Sequence, residues 1–197
     1  MEKKLKILAA GDLHGDVGIA KKLSEKAKRS KVDLVVLAGD IHGYMGEGEG
    51  ILKPFKQAKQ KVIFVPGNLD SSLEHESLRK DAKSIHNYYV NYGGVGIAGI
   101  GSPDWKMELG KGDLEEMKKN FEKMKSKKKI LVSHLHAEDT PAEFSGIPGD
   151  RILKKAVKEF KPDLLISAHI HEAEGIEGKL GKTKVIQVGK KGKILEI

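Results

Sequence analysis

The chain alternates short, continuous apolar runs with longer segments in which apolar residues recur at helical spacing. Residues 5–10, 33–38 and 61–65 are rich in Val, Ile and Leu, which predicts strands buried on both faces. Residues 16–30 carry Val17, Ile19, Ala20, Leu23 and Ala27 at roughly helical spacing. Residues 51–60 predict a shorter helix with Pro54 in its first turn, where proline is tolerated. Strand, helix, strand, helix, strand implies a parallel sheet with right-handed crossovers.

The pattern then changes. Residues 88–90 and 95–100 flank a turn at 91–94 and predict a β-hairpin. A loop over 101–110 holds Asp104 and the only tryptophan, Trp105; it is either a substrate wall or a packing plug. Asp113 is placed as a helix cap, with Glu116 three residues on as its capping-box partner. Strands follow at 130–133 and 164–167, separated by a loop at 141–148 and a helix at 150–160. Residues 183–188 and 193–197 are predicted to pair across the turn GKKG, and GEGEG at 46–50 reads as mobile. With no linker, repeat or low-complexity segment, the prediction is one α/β domain over residues 1–197, with two sheets or one strongly mixed sheet.

Composition narrows this. The 197 residues are 39% hydrophobic, enough for a core, and no run approaches the ~20 apolar residues of a membrane span. No membrane partner is predicted. The charged start MEKK precedes an apolar run that soon meets Asp12 and His14, so it leads into a first strand rather than a targeting segment. There are no cysteines, which excludes disulfides and thiolate metal sites and fits a cytoplasmic protein. The formal charge of +8 attracts phosphates and nucleic acid. Yet the lysines alternate with glutamates in KKLSEKAKRS and DLEEMKKNFEKMKSKKK, the pattern of a solvated surface common in thermophile proteins. A nucleic-acid partner is therefore admitted but not favoured. The basic run 125–129 marks a helix end before a strand.

The chemistry lies where the strands end. Residues 5–10 run into GDLHG, giving Asp12 and His14; residues 33–38 run into GDIHG, giving Asp40 and His42. Residues 61–65 lead to PGNLD, with Asn68 and Asp70; residues 130–133 lead to His134 and His136; the last parallel strand leads to His169 and His171. Taken singly, Gly-Asp after a strand is turn chemistry, and His-x-His is an ordinary loop. Together they are not ordinary, because six of the eight histidines follow a buried strand and three of the five strands deliver Asp or Asn there. His75 and His86 fall outside the pattern and are placed on the surface. Ligands of open α/β sheets bind beyond the carboxyl ends of the strands, so these groups are expected to converge. Carboxylate, amide oxygen and imidazole without thiolate suit Mn, with Fe, Ni, Zn or Mg as alternatives. The ligands exceed the needs of one ion; two divalent metal ions, bridged by a carboxylate, would use them all, and water between them becomes a hydroxide that attacks phosphorus in line.

DLH, GD, GN, a strand-end His and HIH, in that order over residues 12–171, resemble the calcineurin-like metallophosphoesterases. The stretch AHIHEAEG is similar to the close of a small prokaryotic phosphoesterase branch. The resemblance implies a four-layer α/β sandwich of two mixed β-sheets flanked by helices. It implies that one metal binds Asp12, His14, Asp40 and His171, and the other Asp40, Asn68, His134 and His169, with Asp40 bridging.

Two departures stand out. The family usually has His, taken to contact the phosphate and protonate the leaving group, where this chain has Leu69. Asp70 thereby loses the His it would orient and is left to stabilise the turn. His42 and His136 are the candidate substitutes, as general acid or phosphate contact. The second departure is Ala168 for Gly, expected to matter little. None of the three arginines lies in a strand-end motif, so the doubly charged phosphate of a monoester finds fewer cations than it wants. The expected function is a metal-dependent phosphodiesterase acting on a small phosphate ester. The alternatives are a binding or scaffold protein on the same fold, as in the retromer subunit of this family, or a nuclease, for which a capping domain has no room here. The hairpin 88–100 is either core or an edge open to a second copy of the chain, a homo-oligomer.

Overall fold

In the computed structural model, which describes residues 4–197, the first three apolar runs become parallel strands β1 (Lys6–Ala10), β2 (Leu34–Ala38) and β3 (Val62–Val65). Helix α1 (Val17–Arg29) links the first two, its amino end capped by the Asp16 carboxylate, which accepts the Ile19 N–H at 3.0 Å. Helix α2 (Lys53–Gln57) keeps Pro54 in its first turn. Helix α3 (Ser72–Leu78) and the two-residue strand β4 (Lys83–Ser84) follow, β4 pairing parallel to β3.

The hairpin β5 (Tyr88–Tyr92) and β6 (Val95–Ile100) opens a second sheet, with β5 at its edge. Helix α4 (Lys111–Lys123) then leads to β7 (Lys128–Ser133), and α5 (Arg151–Phe160) to β8 (Leu164–Ser167). Strands β9 (Glu177–Leu180) and β10 (Thr183–Gln187) complete that sheet, and β11 (Lys193–Glu196) returns to the first. The orders are β11-β1-β2-β3-β4 and β5-β6-β7-β8-β10-β9, each mixed by antiparallel edge strands.

Alternation along each strand explains the layers. Ile7, Val36, Ile63, Ile97, Val132 and Ile166 point between the sheets. Leu8, Leu37 and Phe64 point the other way, against Leu23 of α1 and Phe55 of α2. Leu131 and Leu165 meet Phe121 of α4 and Leu153 of α5 on the far side. Both faces of the central strands are buried, so the runs read as continuous rather than alternating. The result is the expected helix, sheet, sheet, helix sandwich.

The expected pairing of residues 183–188 with 193–197 does not occur. Strand β10 is already flanked by β8 and β9, whereas the outer edge of β1 is free; β11 takes that edge, with Ile7 opposite Leu195. The GKKG segment therefore carries the chain from one sheet to the other. Asp113 is not the cap of α4: Gly110 holds that position, and the Asp113 carboxylate accepts the Gly110 N–H from the third helical residue at 2.6 Å. His75 and His86 are half-buried rather than on the surface: His75 packs on Phe64 and meets the Ser84 hydroxyl at 2.7 Å, while His86 Nδ1 accepts the Gly101 N–H at 2.9 Å. Strand β9 and helix α3 have no counterpart in the sequence reading. No helix of the described residues is long and apolar enough to cross a membrane.

Candidate metal centre

The carboxyl ends of β1, β2 and β3 face those of β7 and β8, and the loops there are built on one another. The Asp12 N–H donates to the Gly39 carbonyl at 3.0 Å, His14 to Asp40 at 2.9 Å and Gly15 to Ile41 at 2.9 Å, so the GDLHG and GDIHG turns form one double-layered rim. Asp12, His14, Asp40 and His169 all adopt left-handed backbone, with φ of 55, 49, 48 and 74°. Side-chain-bearing residues pay for that conformation, and its concentration here marks a site that the surrounding loops hold in place. Gly67 is needed for close approach: a Cβ there would lie 2.1 Å from Asp40 Oδ1.

Two clusters result. Ligand atoms of Asp12, His14 and His171 lie within 4.8 Å of one another, as do those of Asp40, His134 and His169. In the first, the Nε2 atoms of His14 and His171 face each other at 2.9 Å, and His171 Nε2 is 4.0 Å from Asp12 Oδ1. In the second, His134 Nδ1 donates to the Ala38 carbonyl at 2.8 Å, which fixes the tautomer and leaves Nε2 with a lone pair. That Nε2 lies 2.9 Å from Asn68 Oδ1 and 3.5 Å from Asp40 Oδ1. Asp40 joins the clusters: its Oδ1 also accepts the Leu69 N–H at 2.9 Å, and its Oδ2 is 4.0 Å from His14 Nδ1.

This donor set suits divalent cations. Burial, then the neighbouring Asp40, pushes the Asp12 carboxyl well above the usual carboxylate range, and burial lifts Asp40 to about 6. Burial lowers His134 and His169 to about 4, and lowers His14 as well. Imidazoles therefore stay neutral with lone pairs free, while the two carboxylates lack a counter-charge. Asp12 Oδ2 is buried without a hydrogen-bond partner. A cation between these groups satisfies all of them, at the cost of releasing protons from the carboxyls.

The remaining candidates lie around the clusters. His42 is buried against Asp70, with Nδ1 3.7 Å from Oδ1, and neither cluster includes it. His136 is buried, its Nε2 3.3 Å from the Ile147 carbonyl, and it lines a recess of about 640 Å³ together with His169. Leu69 offers only its backbone N–H. Asp70, fully buried, accepts N–H bonds from Ile41, His42 and Gly67 at 2.8–3.2 Å and so locks the β2 and β3 loops together, the turn-stabilising role expected of it. Trp105 is no packing plug. It is more than half exposed, stacks edge-on against the exposed Tyr44, and donates its backbone N–H to the Asn68 carbonyl at 2.8 Å, which ties its loop to the site. Sequence reasoning missed the Ala38 carbonyl, which a side-chain pattern cannot reveal. It also missed Asp150, whose carboxylate accepts the N–H groups of both Leu109 and Leu153, at 2.8 and 2.6 Å.

The sequence profile described as calcineurin-like phosphoesterase matches residues 5–173. No curated protein matches the chain by sequence. Solved structures share the fold. TT1561 of Thermus thermophilus superposes with a TM-score of 0.74 at 16% identity, covering 98% of this chain and 99% of that one. Phosphopantetheinyl hydrolase from Mycobacterium tuberculosis gives 0.64 at 14%, covering 97% and 92%. A novel archaeal phosphodiesterase gives 0.54 at 15%, covering 98% and 99%.

Proposed function

The chain belongs to the calcineurin-like phosphoesterase family, and from that premise we propose that it is a phosphodiesterase dependent on two divalent cations, Mn foremost. The observation that carries this is the pair of clusters meeting at Asp40, with seven donors facing inward and too few protons or cations to balance them. Asp12, His14, Asp40 and His171 would hold one ion; Asp40, Asn68, His134 and His169 the other. When bound, such a pair supplies Lewis acidity toward phosphoryl oxygens and a water acidic enough to become the nucleophile.

The chain's own residues set the geometry. The Ala38 carbonyl holds the His134 ring, the Leu69 N–H holds Asp40, and Asp12 Oδ1 accepts the His169 N–H at 3.2 Å. The Leu69 side chain has no proton to give, so the leaving alkoxide departs without help from that position. A positioned acid typically contributes about 10²–10⁴ in rate, so esters of acidic alcohols are the favoured substrates. None of the three arginines lies in a strand-end motif, and Lys190 is the cation that acts on Asp12 and His14, a modest positive charge that favours the singly charged diester over the doubly charged monoester.

Leu69 also favours a second function, a binding protein that retains the metals without turnover. Protein stripped with chelator and reloaded with Mn²⁺ separates the two, assayed on an activated aryl diester and the matching monoester beside Asp40→Asn and Asn68→Ala. Metal-dependent diester cleavage, lost in both variants, is the expected result. Two tightly held ions with no turnover of either ester would establish the binding protein instead.

A further inference from the structure

The recess beside the second cluster shares only His169 with the ligand set. Met107 and Leu109 from one loop and Ile147 and Pro148 from another form its apolar walls, and His136 and His169 also line it. Asp150 ties the walls together. Its carboxylate accepts the Leu109 N–H, its own N–H donates to the His136 carbonyl at 2.8 Å, and its carbonyl accepts the Glu138 N–H at 3.1 Å. The wall is therefore fixed to the same segment that presents His134, and its distance from the metal centre is set by backbone bonds.

Its chemistry is selective. Met107 and Ile147 both line the recess and are 53% and 46% exposed, although they are apolar. Its one lining cation, Arg151, is largely exposed and contacts Glu138 through Nε at 3.3 Å, while Glu108 and Asp150 place carboxyl groups in the lining. A second phosphate or a carboxylate would meet one cation already in contact with Glu138 and two acidic neighbours. By contrast, a larger cavity of about 770 Å³ at the β4 and β5 edges is lined by Lys61, Arg79 and Lys83 but by no member of either cluster. Resting on the phosphodiesterase assignment above, we propose that the recess takes a bulky, uncharged organic substituent of the phosphoester, an aromatic or branched alcohol, while the phosphate sits at the metals.

The test separates this from the assignment it rests on. Binding of 2-naphthol to the metal-free full chain, followed by saturation-transfer NMR, requires no turnover. Ile147→Asp and Met107→Asp should each weaken it roughly tenfold or more, the worth of one buried apolar side chain. Leu73→Asp, on the exposed face of α3, should leave it unchanged. In the Mn²⁺-loaded protein, Ile147→Asp should raise KM for a 2-naphthyl phosphodiester by a similar factor with kcat held. Naphthol bound and lost in both wall variants upholds the recess even where no ester is cleaved. Diester cleavage with no naphthol binding, or with binding indifferent to both wall variants, overturns it and leaves the phosphodiesterase standing.

Discussion

The two clusters share only the loop after β8, which carries both His169 and His171, and they differ in their exposure. The His134 side chain is fully buried and held by the Ala38 carbonyl, whereas the His171 and His14 side chains are 52% and 22% exposed, face each other at 2.9 Å and lie only within 4.0 Å of Asp12 and Asp40. The difference follows from where the chain comes from. His134 leaves β7 directly into the space between the sheets, while His171 begins a short 3-10 helix on the outer rim. An ion held at the buried cluster would be enclosed and slow to leave; one at the rim would exchange readily and meet the substrate. The inner position is thus the structural anchor and the outer the adjustable one.

Breaking the inner cluster should have the largest effect. His134→Asn keeps an amide N–H near the Nδ1 position for Ala38 and removes only the Nε2 ligand. Loss of metal-supporting groups alone costs about 10–100-fold, so loss of this ligand should exceed 100-fold in activity and reduce bound metal from two ions to one. His171→Ala should weaken only the outer ion, by roughly tenfold in affinity on the same scale, with the inner ion still bound by elemental analysis. Equal losses in the two variants would erase the distinction drawn here.

A smaller and opposite effect is expected at Leu69, which sharpens the comparison because its N–H holds Asp40 while it joins neither cluster. Leu69→His places an acid where the chain has none, beside Asp70, whose carboxylate already serves the N–H groups of Ile41, His42 and Gly67. Cleavage of a diester with an alkyl leaving group should rise by roughly tenfold or more, toward the range of a positioned acid, while an activated aryl diester gains little. A uniform rise for both esters would point to altered metal binding instead.

The sites were legible because strands buried on both faces expose chemistry only at their ends. Asp12, Asp40, Asn68, His134, His169 and His171 stand out as polar residues immediately after continuous apolar runs. Pairing was less legible. The exchange of β11 into the first sheet depends on which strand edge is vacant, and no local pattern in KILE states that. Strand β9, sequence EGKL, has glycine and charge where strands favour branched or aromatic residues, so its pairing with β10 comes from tertiary context alone. Helix α3 did carry a signal, the Ser71 and Glu74 capping box, but its two leucines give no helical stripe: Leu73 is exposed and Leu78 buried.

The smallest effect, a shift in melting temperature with pH, tests the charge imbalance on which the whole site is built. Asp40 has its pKa raised from 3.8 to about 6, so the folded metal-free protein holds that proton more tightly than the unfolded chain. The stability this gives is full below 3.8 and lost as pH rises through about 6. His134 and His169, lowered from 6.5 to about 4, run the other way: their contribution is full above 6.5 and lost as pH falls through about 4. Above 6.5 the imidazole contribution is flat and the carboxylates stand uncompensated, so added Mn²⁺ should raise the melting temperature most there. Below about 6 protons compete for Asp40, and the metal-induced rise should shrink. Asp40→Asn removes the titrating group and can keep an oxygen for the Leu69 N–H. Metal-free, that variant should melt above the parent at pH 8, match it near pH 5, and gain little from Mn²⁺ at either. A metal-induced rise independent of pH, or one retained in full by Asp40→Asn, would mean that Asp40 does not join the two clusters.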